Sequence, residues 1–134
     1  MMKCRDQQLL EARPEIPNLK FEVNTGNEEC FQNETIRPIA KMQNDLFVLV
    51  FKNYIQKHKN VFHNLTIDRK LEYIETALNR DIKFRNALKG MFIGQFTQEE
   101  YKKYILNSSA LNKRMINITK ERLKNNLIQF EHKI

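Results

Sequence analysis

The sequence predicts an all-α fold, a single-domain bundle of four or five helices with an irregular N-terminal arm. Three observations carry this expectation. The 134 residues include only three glycines and three prolines, and so few turn-makers favour a few long helices over many short strands. Apolar residues recur at three- and four-residue spacing from Pro38 onward, the period of helices with one buried face. Thr66, Asp81 and Thr97 stand just before periodic stretches, where such side chains cap helices. The length suits one domain with its own core.

The arm comes first, over residues 1–35. Pro14 and Pro17 break any helix, and Asn24-Thr25-Gly26-Asn27 reads as a turn. Leu9, Leu10, Ile16, Leu19, Phe21 and Val23 are still apolar enough to dock onto a core. Phe21 and Val23 alternate with charged residues, as in a short extended piece. The arm is expected to lie over the body and shield part of its basic surface; a free acidic tail is the alternative.

The helical domain spans residues 36–134. Pro38 suits the start of a helix, where its missing N–H costs nothing, and this first helix is expected to reach about His58. Leu46 to Phe51 is an unbroken apolar run. Ile39 and Met42 before it, and Tyr54 and Ile55 after it, keep the helical pattern. The run is therefore expected to be helical, mostly buried and central to the bundle. Residues 60–65 connect. Thr66 caps a helix whose apolar row is Ile67, Leu71, Ile74 and Leu78. Asp81 caps another, with Phe84, Ala87, Leu88 and Met91 on its apolar face. The apolar residues between Gly90 and Gly94 suggest close helix packing. Thr97 and Glu100 have capping-box spacing at the start of a helix carrying Tyr101, Tyr104 and Ile105. Asn107-Ser108-Ser109 either ends that helix and caps the next, or the helix runs straight through. Leu111, Met115 and Ile118, prolonged by Leu123, Leu127 and Phe130, mark the apolar side of the last helix.

Charge is unevenly spread. Residues 1–35 hold four bases and seven acids, whereas residues 101–134 hold eight bases and two acids, within a net charge of +7. There is no run of ~18 apolar residues, so no membrane span is expected. The opening Lys3, Arg5 and Asp6 lack the apolar stretch of a secretory signal. Cys4 and Cys30 are isolated, which suits a reducing cytoplasm.

Catalytic patterns are sparse. His58, His63 and His132 form neither H-E-x-x-H nor E-x-x-H, so no metal or other cofactor is expected. Ser108 and Ser109 lie outside any G-x-S-x-G and suit helix capping. Glu72 and Glu75 are three apart on one helix, close enough to face each other, although an exposed helix surface is the simpler expectation. Gly90 to Gly94 is not a phosphate-binding loop. No catalytic residue is assigned, and a binding role is expected ahead of an enzymatic one.

The last helix carries the sharpest functional signal. Lys113, Asn117, Lys120 and Lys124 fall at i, i+4, i+7 and i+11, in one row, with Arg114 beside it. Clustered Lys and Arg are rewarded by phosphates through counterion release. Arg85 and Lys89 are able to extend the patch, and Asn112 and Asn117 to hydrogen-bond bases or sugars. The expectation is a basic helical module that contacts RNA, DNA or a ribonucleoprotein through Lys113, Arg114, Asn117, Lys120, Lys124, Arg85 and Lys89. A plain solvated basic face is the competing reading. The apolar row points elsewhere, so the basic row is expected to be mutable without opening the core. A membrane-surface helix is disfavoured, because that row has no Trp and one Phe.

Between Ile36 and Leu127 the chain carries Arg37-Pro38-Ile39, Gln43-Asn44-Asp45-Leu46, Lys83-Phe84-Arg85-Asn86, Gly94-Gln95-Phe96-Thr97 and Asn107-Ser108-Ser109-Ala110-Leu111-Asn112-Lys113-Arg114-Met115. In these segments it resembles a family of short bacterial proteins for which no mechanism is established and whose members are sometimes labelled glyoxalase. The resemblance implies a glyoxalase-like lyase as one alternative function and transfers no catalytic residue. A structural or oligomeric helical protein, or one that binds an acidic protein surface, is the other alternative.

Overall fold

The computed structural model describes residues 4–16 and 26–131, and every regular element among them is helical. In chain order these are α1 (Arg5–Ala12), α2 (Asn27–Phe31), a π-helical turn (Gln32–Ile36), α3 (Arg37–Met42), α4 (Asn44–Lys57), a 3-10 turn (Val61–Asn64), α5 (Ile67–Arg80), α6 (Ile82–Ile93), α7 (Gln98–Tyr104), α8 (Ser108–Asn125) and a closing 3-10 turn (Leu127–Glu131). The all-α class holds, with more helical segments than the four or five expected. The possible extended piece at Phe21 and Val23, the proline at 17 and His132 lie outside the described residues.

The arm is less irregular than its prolines suggested. α1 ends before Pro14, and helix resumes at Asn27. From there it runs through Ile36 into α3, so no break marks the start of the helical domain. Pro38 sits in the first turn of α3, inside this continuous path. A proline has no N–H for the carbonyl four residues back, and its ring crowds that carbonyl. The path widens just upstream, where the Arg37 N–H reaches Gln32 O, five residues earlier. The helix expected from Pro38 to His58 is divided at Gln43, whose φ of −89° and ψ of 1° interrupt it.

Three caps form as their spacing predicts. Thr66 accepts from the Arg69 N–H at 3.3 Å, and Asp81 from the Phe84 N–H at 3.1 Å. At Thr97 the box closes both ways: its hydroxyl accepts from the Glu100 N–H at 3.2 Å, and Glu100 accepts from the Thr97 N–H at 2.8 Å. The chain breaks at Asn107, which separates α7 from α8.

Phe51 anchors the core. Its ring meets those of Phe62 at 5.6 Å, Phe84 at 6.1 Å and Phe130 at 5.1 Å. The run Leu46 to Phe51 is helical, but only Phe47, Val48 and Phe51 are buried; Leu46 and Leu49 stay about half exposed. A helix has two sides, and α4 lies at the edge of the bundle rather than its centre. Between Gly90 and Gly94, Phe92 is buried and Met91 and Ile93 pack against the core, whereas a Cβ on Gly90 itself would meet nothing within 4 Å. Ala87 and Ile67 are exposed, and Phe92 is buried on α6 instead.

The hub is α8. It packs against α3, α4, α5, α6 and the π-helical turn. Its buried residues are Leu111, Met115, Ile116, Ile118, Thr119, Lys120 and Leu123, an arc wider than one apolar row. Thr119 enters this arc by donating its hydroxyl to Met115 O at 2.8 Å, which satisfies a polar group that burial would otherwise penalise.

Candidate nucleic-acid interface

Because α8 is surrounded, it shows solvent a narrow stripe. Lys113, Asn117, Glu121 and Asn125 are its exposed residues from position 113 on. They recur every four residues, as one face of a helix requires. This stripe has one cation and one anion, so the expected four-residue row does not survive as a unit.

Lys120 and Lys124 point the other way, toward α5. Lys120 is 9 % exposed; its Nζ lies 3.1 Å from a Glu75 carboxylate oxygen and donates to Asn79 Oδ1. Lys124 Nζ reaches the second Glu75 oxygen at 2.5 Å. The Lys124 hydrogen bond is the main reason the Glu75 carboxyl titrates below the usual carboxylate range; burial opposes it and Lys120 adds to it. The two lysines are therefore ties between α8 and α5. Reversing their charge sets carboxylates against Glu75, so they are not freely mutable as the sequence implied.

Glu72 and Glu75 do not face each other as a pair. Glu72 accepts from Arg69 at 3.3 Å on their own helix, whereas Glu75 serves α8.

The α6 residues stand apart as well. Arg85 donates to Asn79 O at 3.3 Å, beside the Lys120 contact. Lys89 is half-buried on α6. Asn112 accepts the Tyr104 hydroxyl at 2.6 Å and is engaged within the fold.

Lys113, Arg114 and Asn117 do come together. With Ser109, Ala110 and Glu28 they line an open groove of about 530 Å³ along the first half of α8. Arg114 Nη1 donates to Gln32 Oε1 at 2.9 Å, and its Nε lies 3.5 Å from Glu28. Glu28 also accepts from Asn107 Nδ2 at 2.9 Å. Asn107 is thereby turned away from capping α8, and no side chain caps that helix start. Its amide end carries partial positive charge, which adds to Lys113 and Arg114.

No protein-family model, curated protein or solved structure matches the chain.

Two features had no sequence signal. The first is a cleft of about 720 Å³ between α1, α2, the π-helical turn, α7 and α8. Leu10, Phe31, Leu106 and Leu111 supply its apolar wall, and Arg13, Thr35 and Glu100 line it too. Arg13 and Glu100 are 6 % and 14 % exposed and pair through both Glu100 oxygens, each at 2.6 Å. Burial pushes the Glu100 carboxyl up, but hydrogen bonds from Arg13, the Thr97 N–H and Thr35 outweigh it and hold it below its usual range. The second is a smaller polar pocket of about 240 Å³ on the opposite flank, where Arg37 and Arg122 meet.

The remaining candidates are structural. His58 stacks on Tyr54 at 4.0 Å, and its Nδ1 lies 2.8 Å from Tyr54 O. The Tyr54 hydroxyl donates to Asp81 at 3.0 Å. Burial and that hydrogen bond raise the tyrosine, while the Phe84 N–H and then Tyr54 lower Asp81. Cys4 and Cys30 form no disulfide with each other. Among the described residues no three His, Cys, Asp or Glu side chains gather in a metal-sized cluster, and no helix is long and apolar enough to cross a membrane.

Proposed function

We propose that the protein is a basic helical binding module whose first half of α8 contacts the backbone of RNA or DNA, free or within a ribonucleoprotein. The observation that carries this reading is the convergence of Lys113, Arg114 and Asn117 on one open groove beside an uncapped helix start. Lys113 is exposed and makes no ion pair among the described residues. Arg114 is half-exposed, with its Nη1 on a neutral glutamine. Asn117 offers a neutral donor and acceptor between them. Phosphates reward such cations, and the amide end of a long helix favours the same charge. The net charge of +7 adds long-range attraction.

The test is binding to mixed cellular RNA and to duplex DNA by fluorescence anisotropy, across about 50–200 mM salt. Wild-type affinity is expected to fall steeply with salt. Lys113→Glu is expected to weaken binding and lower the salt slope by about one. Lys124→Gln, which removes a charge already held by Glu75, is expected to leave affinity within about twofold. Salt-independent or absent binding by the wild type, or equal loss in the two variants, defeats the proposal.

A further inference from the structure

Arg37 and Arg122 are 85 positions apart in the chain, yet they line the same pocket between α3, α4 and α8. Both are half-buried. Neither forms an ion pair with any carboxylate among the described residues. Glu121 also lines the pocket, but it is exposed and forms no salt bridge with either guanidinium. Burial, and then the Arg37 charge, disfavours the charged form of Arg122. An arginine does not relieve such repulsion by losing its proton. Two like charges are thus held in one pocket, and among the described residues neither is ion-paired.

Among the described residues each guanidinium donates one hydrogen bond. Arg37 Nε donates to Asn33 Oδ1 at 3.2 Å, and Arg122 Nη1 reaches Asn44 Oδ1 at a long 3.4 Å. Each guanidinium has five N–H groups in a planar fork that matches tetrahedral and planar oxyanions. The surrounding wall is amide-rich. Asn126 Nδ2 donates to Asn44 Oδ1 at 3.0 Å and to Arg122 O at 2.6 Å, which fixes the Arg122 region from behind. Asn125 adds an exposed amide at the mouth. The 14-residue α4 begins at Asn44, on this wall, and no side chain caps it. Its amide end adds to the two guanidiniums, offset in part by Asp45 in its first turn. The volume decides the size of the guest: about 240 Å³ is below the ~300–1,000 Å³ of pockets for drug-sized ligands. It suits a single compact group.

We infer that the Arg37–Arg122 pocket binds one phosphate group, as the free ion or as the terminal phosphomonoester of a nucleotide. The anion supplies the missing counter-charge and accepts from both forks at once. This inference uses none of the groove residues Lys113, Arg114 and Asn117, so it stands or falls independently of backbone binding along α8.

Thermal unfolding tests it, with inorganic phosphate and with a 5′-phosphorylated dinucleotide, each compared with chloride at matched ionic strength. At ten times its dissociation constant, a ligand specific to the folded protein raises Tm by about 3–6 °C. That increment is expected for wild type. It is expected to vanish in Arg122→Gln and in Arg37→Gln. In chloride, Arg122→Gln is expected to melt no lower than wild type, because the like-charge repulsion is gone. Phosphate also stabilises proteins non-specifically, and the two variants control for this. At equal concentrations of the two ligands, a larger increment with the dinucleotide identifies a terminal phosphate, and an equal one identifies the free ion. The same dinucleotide without its phosphate is expected to have no effect. No increment in wild type, or one kept by both variants, overturns the inference. Should one variant fail to fold, the other carries the same comparison.

Discussion

Arg13→Ala is expected to be among the most damaging single changes in this protein. Arg13 lies in the arm just after α1, and it is 6 % exposed. Its Nη1 and Nη2 each donate to one oxygen of Glu100 at 2.6 Å, and Nη2 also donates to Gln95 O at 2.7 Å. Glu100 accepts two further bonds at 2.8 Å, from Thr35 and the Thr97 N–H. Removing the guanidinium leaves a largely buried carboxylate with two neutral donors, and Gln95 O loses a partner. Deleting one member of a buried ion pair costs about 3–5 kcal/mol, because the other charge stays uncompensated. An exposed pair is worth only about 0–1 kcal/mol. With a urea m value near 2 kcal/mol/M, the midpoint falls by roughly 1.5–2.5 M. Against a total stability of about 5–15 kcal/mol, that is a large fraction. Glu100→Gln keeps the shape and removes the charge. The pair of variants and their double mutant form a cycle, and the double mutant should lose clearly less than the sum. A midpoint shift below about 0.5 M for Arg13→Ala would place the pair in the surface class and refute its role in holding the arm.

Two smaller effects follow from the same corner. Thr97→Ala removes the hydroxyl that accepts from the Glu100 N–H and is expected to cost about 1 kcal/mol, with Thr97→Ser restoring most of it; an unchanged urea midpoint counts against the cap. The Glu100 carboxyl is held below its usual 4.5 in the folded state, so its stabilisation is complete above that value and is lost as pH falls through the lowered one. The gap in urea midpoint between wild type and Glu100→Gln should therefore be widest near neutrality and close on acidification, and a gap that grows toward acid contradicts the assignment.

The fold was legible wherever a local rule decides. Thr66, Asp81 and Thr97 each cap because a short acceptor precedes a periodic run, and no distant residue alters that choice. The apolar row from Leu111 to Phe130 was legible for the same reason. The arm was not. Pro14 and Pro17 suggest an arm without helix, but a proline acts on its own turn, and helix forms before Pro14 and again from Asn27. Pro38 misled in the opposite way. A residue that suits a helix start is also tolerated inside a helical path that widens by one residue just upstream.

The candidate site was legible as chemistry and not as partnership. Periodicity places Lys113, Lys120 and Lys124 within one side of a helix, yet it cannot tell how many neighbours that helix has. On an edge helix the buried arc is narrow, and a basic row stays in solvent. α8 is the hub, and its buried arc takes in Thr119 and Lys120. A lysine at the margin of such an arc keeps its charge only if an acid waits across the interface, and Glu75 on α5 meets both Lys120 and Lys124. The same width on the other flank brings Arg122 into one pocket with Arg37, but there the nearby Glu121 is exposed and pairs with neither. One margin of α8 is neutralised from within and the other is left positive. Only the second kind of margin has charge to offer to a partner outside the fold, and this is why the search for an anion belongs at Arg37 and Arg122 as much as at Lys113.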